Sequence, residues 1–209
     1  MGRRSSHTAD ELREVILASA TQIIIDVGLA GLSARVIARS IGYSPGTIYN
    51  VFSDLDHLVL TIEERLLDDL AATLAAVSPA DDPVQHLCDL ARAYLAFAQR
   101  SPRLWNLLFE HHMPNGWMIS AIFRGKLEEP LRHVELACIA LIGDANPERI
   151  KRTSRALWAA VHGVASLATA QKLSTVNPDE AWILVEDLVR TYAQGLKVHH
   201  AAARKRKKD

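Results

Sequence analysis

Apolar residues recur every three or four positions along most of this chain, and the runs are separated by glycine, proline, serine or aspartate where helices start and stop. Over residues 8–27 the stripe is Leu12, Val15, Ile16, Ile23, Ile24 and Val27, opened by Thr8 or Asp10 and closed near Gly28. A connector at residues 29–31 follows. Ser33 is placed to cap a second helix whose buried side would carry Val36, Ile37 and Ile41. Gly42 comes directly after, where a sharp turn needs positive φ, and Ser44 and Pro45 restart a helix as N-cap and first-turn proline.

Downstream, Ser53 or Asp54 opens a long helix with its stripe at Leu58, Ile62, Leu66, Leu70 and Leu74, ending before Ser78 and Pro79. The next begins near Asp81, Asp82 and Pro83 and runs through Leu87, Leu90, Tyr94, Leu95 and Phe97. A short helix is predicted over residues 103–111, then one over 117–142 with Pro130 inside it, which predicts a kink or break near Glu129. The two cleanest patterns cover residues 147–173 and 178–200. No segment alternates with period two between turn residues, so the fold class predicted is all-α, with about nine helices. The like-charge run from Arg204 to Lys208 predicts a disordered basic tail over residues 201–209.

The spacing around Gly42 carries the functional reading. Ala38 lies four residues before the glycine, where a large side chain would push a crossing helix away, and Ile48 lies six after it, placed to plug the gap. Small, glycine, apolar at these offsets is how a helix-turn-helix packs its second helix across its first, leaving the other face for the major groove. Ser44, Gly46, Thr47, Tyr49 and Asn50 would line that face.

Composition changes this picture little. With 209 residues and 49% hydrophobic content the chain can bury a large core. Cys88 and Cys138 lack CxxC spacing and read as reduced core thiols of a cytosolic protein. The polar N-terminus has no apolar signal core and no apolar run nears membrane-spanning length, so a soluble cytoplasmic protein with no membrane partner is expected. Residues 1–60 carry five arginines against six acids, so any basic footprint must come from local placement: Arg3 and Arg4 in an arm, Arg35 and Arg39 on the first helix of the motif.

Over about residues 9–65 the chain closely resembles the tetracycline-repressor family of bacterial transcriptional regulators. The match is carried by Leu32-Ser33, Ile37-Ala38, Gly42-Tyr43-Ser44, Gly46 to Tyr49 and Phe52, and by Asp56-His57-Leu58. Trp158, His162 and Gly163 resemble the Trp-His-Gly signature of one group of C-terminal domains in that family. The resemblance implies a homodimer reading two half-sites of a palindromic double-stranded operator, most simply a repressor, with a C-terminal domain that dimerises and holds an inducer. It implies a DNA-binding domain over residues 1–54 and a regulatory domain over 55–200. The DNA-binding set it implies is Arg3, Arg4, Ser33, Arg35, Ser44, Pro45, Gly46, Thr47, Tyr49 and Asn50, with Thr47 and Tyr49 on phosphates. Two positions depart from the pattern. Leu55 stands where the family often has a phosphate-holding lysine, and Val51 where it often has an aromatic or histidine.

Other candidate chemistry is thinner. His111 and His112 are adjacent, so their side chains diverge by about 100° on a helix and do not share an ion; no HExxH motif accompanies them, and no metal, cofactor or catalytic residue is expected. Trp105, Phe109, Met113, Trp117 and Phe123, with His112 as a polar handle, suggest a pocket for an apolar or amphipathic ligand, or else plain core. Trp158 and His162, four apart, share a helical face and read first as a structural clasp, second as ligand contacts, while Gly163 would admit a close helix. A four-helix dimer interface is expected from Leu157, Val161, Val164 and Ala168 with Trp182, Val185, Leu188, Val189, Tyr192 and Leu196; burial inside one subunit is the competing reading. An all-α enzyme or carrier lacks any recognisable nucleophile-base spacing, and a helical DNA-binding regulator without an inducer is the nearer alternative.

Overall fold

The computed structural model describes residues 7–112, 120–143, 146–173 and 180–205, and among these every regular element is helical. The helices are α1 (Ala9–Val27), α2 (Ala34–Ile41), α3 (Pro45–Val51), α4 (Leu55–Ala75), α5 (Pro83–Arg100), α6 (Pro102–Glu110), α7 (Ala121–Ile142), α8 (Pro147–Thr169) and α9 (Ala181–Lys205), with a 3-10 turn at Leu29–Gly31. Their starts follow local chemistry. Thr8 caps α1 in a reciprocal capping box with Glu11, Ser33 accepts from the Val36 amide, Ser44 from Thr47, Ser120 from Phe123 and Asn146 from Arg149. Asp54 opens α4 by accepting from the His57 amide at 2.7 Å.

The chain divides into two compact units, Met1–Leu66 with Ser101–Met118, and Leu67–Arg100 with Ile119–Asp209. In the first, one core gathers Ile16, Leu17, Ala20 and Ile24 of α1, Ala34, Ile37 and Ala38 of α2, Ile48 of α3, Leu58, Val59 and Ile62 of α4, and Leu107 of α6. Fully burying an aliphatic side chain contributes roughly 1.5–3 kcal/mol, so α4 and α6 are as much part of this unit as the helix-turn-helix. This compact unit therefore reaches into α4, to Leu66, and takes in α6. Arg65 adds a bidentate pair to Glu14 (2.8 and 2.6 Å), and the Arg103 guanidinium donates to the Ile25 and Asp26 carbonyls at the end of α1.

The second unit packs α5 against α7, α8 and α9, with Leu87, Cys88, Leu90, Leu95, Cys138, Leu157, Val161, Ala165, Val185 and Val189 buried. Three expectations need correction. The helix through Pro130 is continuous from Ala121 to Ile142, without a break at Glu129, and buries the proline ring. Helix α9 runs on to Lys205, because Ala201 to Ala203 are the strongest helix formers and carry the turn past His200; residues 206–209 of the expected tail lie outside the described residues. Val27 and Val36, expected on buried stripes, are 60% and 43% exposed, since the core face of α1 is set by Ile16, Leu17, Ala20 and Ile24, and that of α2 by Ala34, Ile37 and Ala38.

Candidate nucleic-acid interface and ligand cleft

In the first unit the turn between α2 and α3 is made by Gly42 in the left-handed region (φ +75°), whose amide closes α2 on the Ala38 carbonyl. Ala38 and Ile48 are both 1% exposed, one from each helix, so the small residue and the plug meet the packing demand read from their spacing. That burial fixes which face of α3 is outward. Ser44, Pro45, Gly46 and Asn50 are exposed, Tyr49 is 51% exposed, and Thr47 is half-buried with its hydroxyl 3.0 Å from the Ser44 hydroxyl. Arg35 and Arg39 are exposed on α2, and Ser33 is half-buried at its start. Arg3 and Arg4 lie outside the described residues. Directly after them, His7 Nδ1 is 2.8 Å from the Tyr43 hydroxyl, so the base of the arm is pinned beside the start of α3.

Gly46 stands out among these. Its φ is not positive, and a Cβ there would meet only the Ser44 hydroxyl at an ordinary 3.7 Å. Neither conformation nor crowding within the chain calls for glycine at the exposed start of α3.

His111, the C-cap of α6, belongs to this unit too. Its Nδ1 is 3.1 Å from Glu63 Oε1 and its Nε2 is 3.4 Å from Asp56 Oδ1, so both ring nitrogens face carboxylate oxygens of α4. Burial pushes the Glu63 carboxyl above its ordinary pKa, and His111 draws it back. The carboxylate partners of His111, 48 and 55 residues away, have no local signal in the sequence.

The residues expected to line a pocket lie as follows. Trp105 is buried in the first unit, its ring 5.4 Å from that of Phe109; Phe109 is 43% exposed and His112 is exposed, its Nδ1–H donating to the Glu110 carbonyl. Met113 and Trp117 lie outside the described residues, and Phe123 is half-buried on α7. A pattern of large apolar residues does not by itself distinguish a wall from a core.

A cleft partly open to solvent lies within the second unit, lined by Leu74, Leu87, Leu90, Ala91, Tyr94, Pro130, Leu131, Val134, Leu157, Trp158 and Val161. Its one polar wall is a hydrogen-bonded chain. The Trp158 indole N–H donates to the Tyr94 hydroxyl at 3.1 Å, and that hydroxyl lies 3.0 Å from His162 Nδ1. The Trp158 and His162 rings stack at 5.5 Å. Burial lowers the His162 pKa and raises that of the Tyr94 phenol, so both groups are neutral at pH 7. The clasp reading of Trp158 and His162 thus gains Tyr94 as its centre, while Trp158 also lines the cleft. Gly163 is exposed, with nothing within 4 Å of where a Cβ would stand, so the close helix approach expected there is not made within the chain.

Of the dimer set, Leu157, Val161, Val185 and Val189 are at most 5% exposed and are used inside the subunit, a correction to the interface expected from them. Val164, Ala168, Trp182, Leu188, Tyr192 and Leu196 are half-buried. Tyr192 donates to the Thr153 carbonyl, and Trp182 lies under the Arg92 guanidinium at 3.8 Å. Helix α8 exposes a different row, Ala156, Ala159, Gly163 and Leu167, opposite its buried face. Among the described residues no cluster of histidine, cysteine and carboxylate is arranged to hold a metal ion, and no helix is long and apolar enough to cross a membrane.

Two family models match the chain: bacterial regulatory proteins of the tetR family over residues 16–62, and the tetracyclin repressor-like C-terminal domain over residues 87–192, half the chain by itself. The chain belongs to the tetracycline-repressor family. The description of the C-terminal match does not name the Trp-His-Gly group. Among curated relatives, the HTH-type transcriptional regulator Rv1816 of Mycobacterium tuberculosis is 32% identical over 94 residues, 44% of this chain and 40% of that one. The HTH-type transcriptional regulator EthR of the same organism is 34% identical over 83 residues, 38% of each chain. The chain thus spans about two fifths of the length of the curated relatives it matches. A solved protein of unknown function from Rhodococcus sp. RHA1 shares the fold over 94% of this chain and 100% of its own, with a TM-score of 0.75 at 24% identity.

Proposed function

We propose that this tetracycline-repressor family member is a transcriptional regulator, not an enzyme, that represses by binding a palindromic operator as a homodimer. The observation that carries the reading is the outward face of α3. Burial of Ala38 and Ile48 leaves Ser44, Gly46, Tyr49 and Asn50 in the open, with a glycine at a site where the fold itself does not require one. A glycine of that kind suits close approach of the backbone to DNA, and hydroxyls at a helix N-terminus suit phosphates. Thr47 and Tyr49 are assigned phosphates, and Ser44, Pro45, Gly46 and Asn50 base edges or backbone, with Ser33 and Arg35 flanking and Arg3 and Arg4 in the arm.

A single helix-turn-helix with a net acidic surround gains specificity from a second half-site about one DNA turn away. The exposed α8 row of Ala156, Ala159, Gly163 and Leu167 is the surface offered for the partner subunit, since small residues allow close approach of helices. An apolar small molecule in the α5–α7–α8 cleft would release DNA. Leu74 of the cleft and Leu58 of the first unit's core belong to one continuous helix, α4, so a ligand that prefers one setting of that helix shifts the other end by its differential affinity. The regulator works where its DNA is, in the cytoplasm.

The test is operator selection from random DNA with the full chain, followed by gel shift. A two-fold symmetric site bound by a dimer, and released by a cleft ligand, is expected. A folded chain that retains no sequence-specific DNA at moderate salt overturns the regulator; specific binding that no cleft ligand alters leaves a regulator without an inducer.

A further inference from the structure

The cleft of the second unit is unusual for what its walls lack. Leu74, Leu87, Leu90, Ala91, Pro130, Leu131, Val134, Leu157 and Val161 supply hydrocarbon, and among the described lining side chains only Tyr94 and Trp158 carry polar atoms. These two, with His162 behind them, form a chain with no net charge. Several charged side chains on the surrounding helices are engaged elsewhere. Arg155, one turn before Trp158, is held by Glu135 at 3.3 Å and Glu128 at 3.8 Å; Lys126 of α7 pairs with Asp68 of α4; Arg92 of α5 lies over the Trp182 ring; and Arg190 of α9 pairs with Glu186. Glu129 and Arg132, flanking the lining pair Pro130 and Leu131, are exposed rather than turned inward. An ionised head group carried into this cleft would lose water and meet no opposite charge, a cost that apolar contacts along its tail do not offset.

We infer that the cleft selects an uncharged, largely hydrocarbon ligand, such as a medium-chain alcohol, and rejects the carboxylate and the ammonium ion of the same chain length. The inference rests on the cleft being a ligand site, and deepens that reading by naming the class of ligand. A neutral head can sit against the Tyr94–Trp158 edge without desolvating a charge, while its tail replaces water along the leucine and valine walls.

The test uses the full-length chain and three probes below their micellar concentrations: 1-decanol, decanoate and decylammonium, each titrated by calorimetry and by tryptophan fluorescence. Binding of 1-decanol at least tenfold tighter than either ion, and abolished in Ala91→Phe, supports the inference. Leu131→Lys, at a half-buried lining position, is the second variant. It should strengthen decanoate at least tenfold by supplying the missing cation, whatever the fate of Ala91→Phe. Either ion binding as tightly as 1-decanol overturns the neutral-ligand inference and leaves the cleft a ligand site. None of the three binding, or 1-decanol binding Ala91→Phe unchanged while that variant keeps its wild-type circular dichroism, overturns the site as well. Tight 1-decanol binding that leaves operator affinity untouched leaves the inference standing and removes the regulatory role.

Discussion

Replacing His111 by alanine should cost stability in a way that acid partly restores. Glu63 is 4% exposed, and its carboxylate has the His111 ring at 3.1 Å as its hydrogen-bonding partner. In His111→Ala that carboxylate stays buried and loses the partner; Asp56, with a side chain 39% exposed, turns to water and adds little. Stranding one member of a buried pair costs about 3–5 kcal/mol, and the lower end, about 3 kcal/mol, applies here because Asp56 is spared. The sign of the pH dependence follows from Glu63. Its folded pKa is raised above the ordinary 4.5 by burial, so the stability linked to it is full below about pH 4.5 and is lost as pH rises through the folded value. Without His111 the folded value climbs further. The deficit of His111→Ala should therefore be largest near pH 7.5 and shrink as pH falls toward 5. Urea denaturation of the full chain, followed by circular dichroism at both pH values, measures it. Glu63→Gln in the same background should recover at least about 1.5 kcal/mol, as coupled buried partners do. Equal deficits at the two pH values, or strictly additive variants, would refute the pairing.

Three further outcomes are expected. Gly42→Ala forces a Cβ into φ +75° and should destabilise by about 1–2 kcal/mol, seen as a lower melting temperature with weakened operator binding; an unchanged melting temperature would count against the turn. His162 is depressed by burial below its ordinary 6.5, so the stability tied to its neutral ring is present above pH 6.5 and lost as pH falls through the folded value. His162→Gln should flatten that acid limb, and a melting curve equally steep against pH in both proteins would discount it. Tyr49→Phe should weaken operator binding, and Arg3→Ala with Arg4→Ala should reduce the salt slope by up to about two per subunit if both touch phosphates; unchanged slopes in a filter-binding titration would dismiss the arm.

The first unit was legible because its demands are local. Ser33, Gly42, Ser44 and Pro45 meet a cap, a left-handed residue and a restart within twelve positions, and Ala38 and Ile48 meet at the crossing their spacing requires. What sequence could not show was who shares the core. Leu58, Val59 and Leu107 carry the same apolar signal as residues of the second unit, so their place in the first core is not written in their spacing. The cleft was missed for a related reason: Leu87, Leu90, Ala91 and Tyr94 repeat at ordinary helical spacing, and whether the neighbouring helices close over them depends on helix separation. The one local hint was Pro130, a proline kept inside a helix and turned onto the cleft. Leu157, Val161, Val185 and Val189 were assigned outward for want of any signal separating a subunit core from a subunit interface, which share the same chemistry.

The bond between His7 and Tyr43 sets the reach of the arm. Arg4 stands three positions before His7, and a fully extended chain covers no more than about 11 Å in that distance. Half-site centres on a palindrome stand about 34 Å apart. In the proposed dimeric operator complex an arm tethered in this way would serve the half-site beside its own recognition helix, so a heterodimer with one arm truncated is expected to lose contacts on one half of the operator alone.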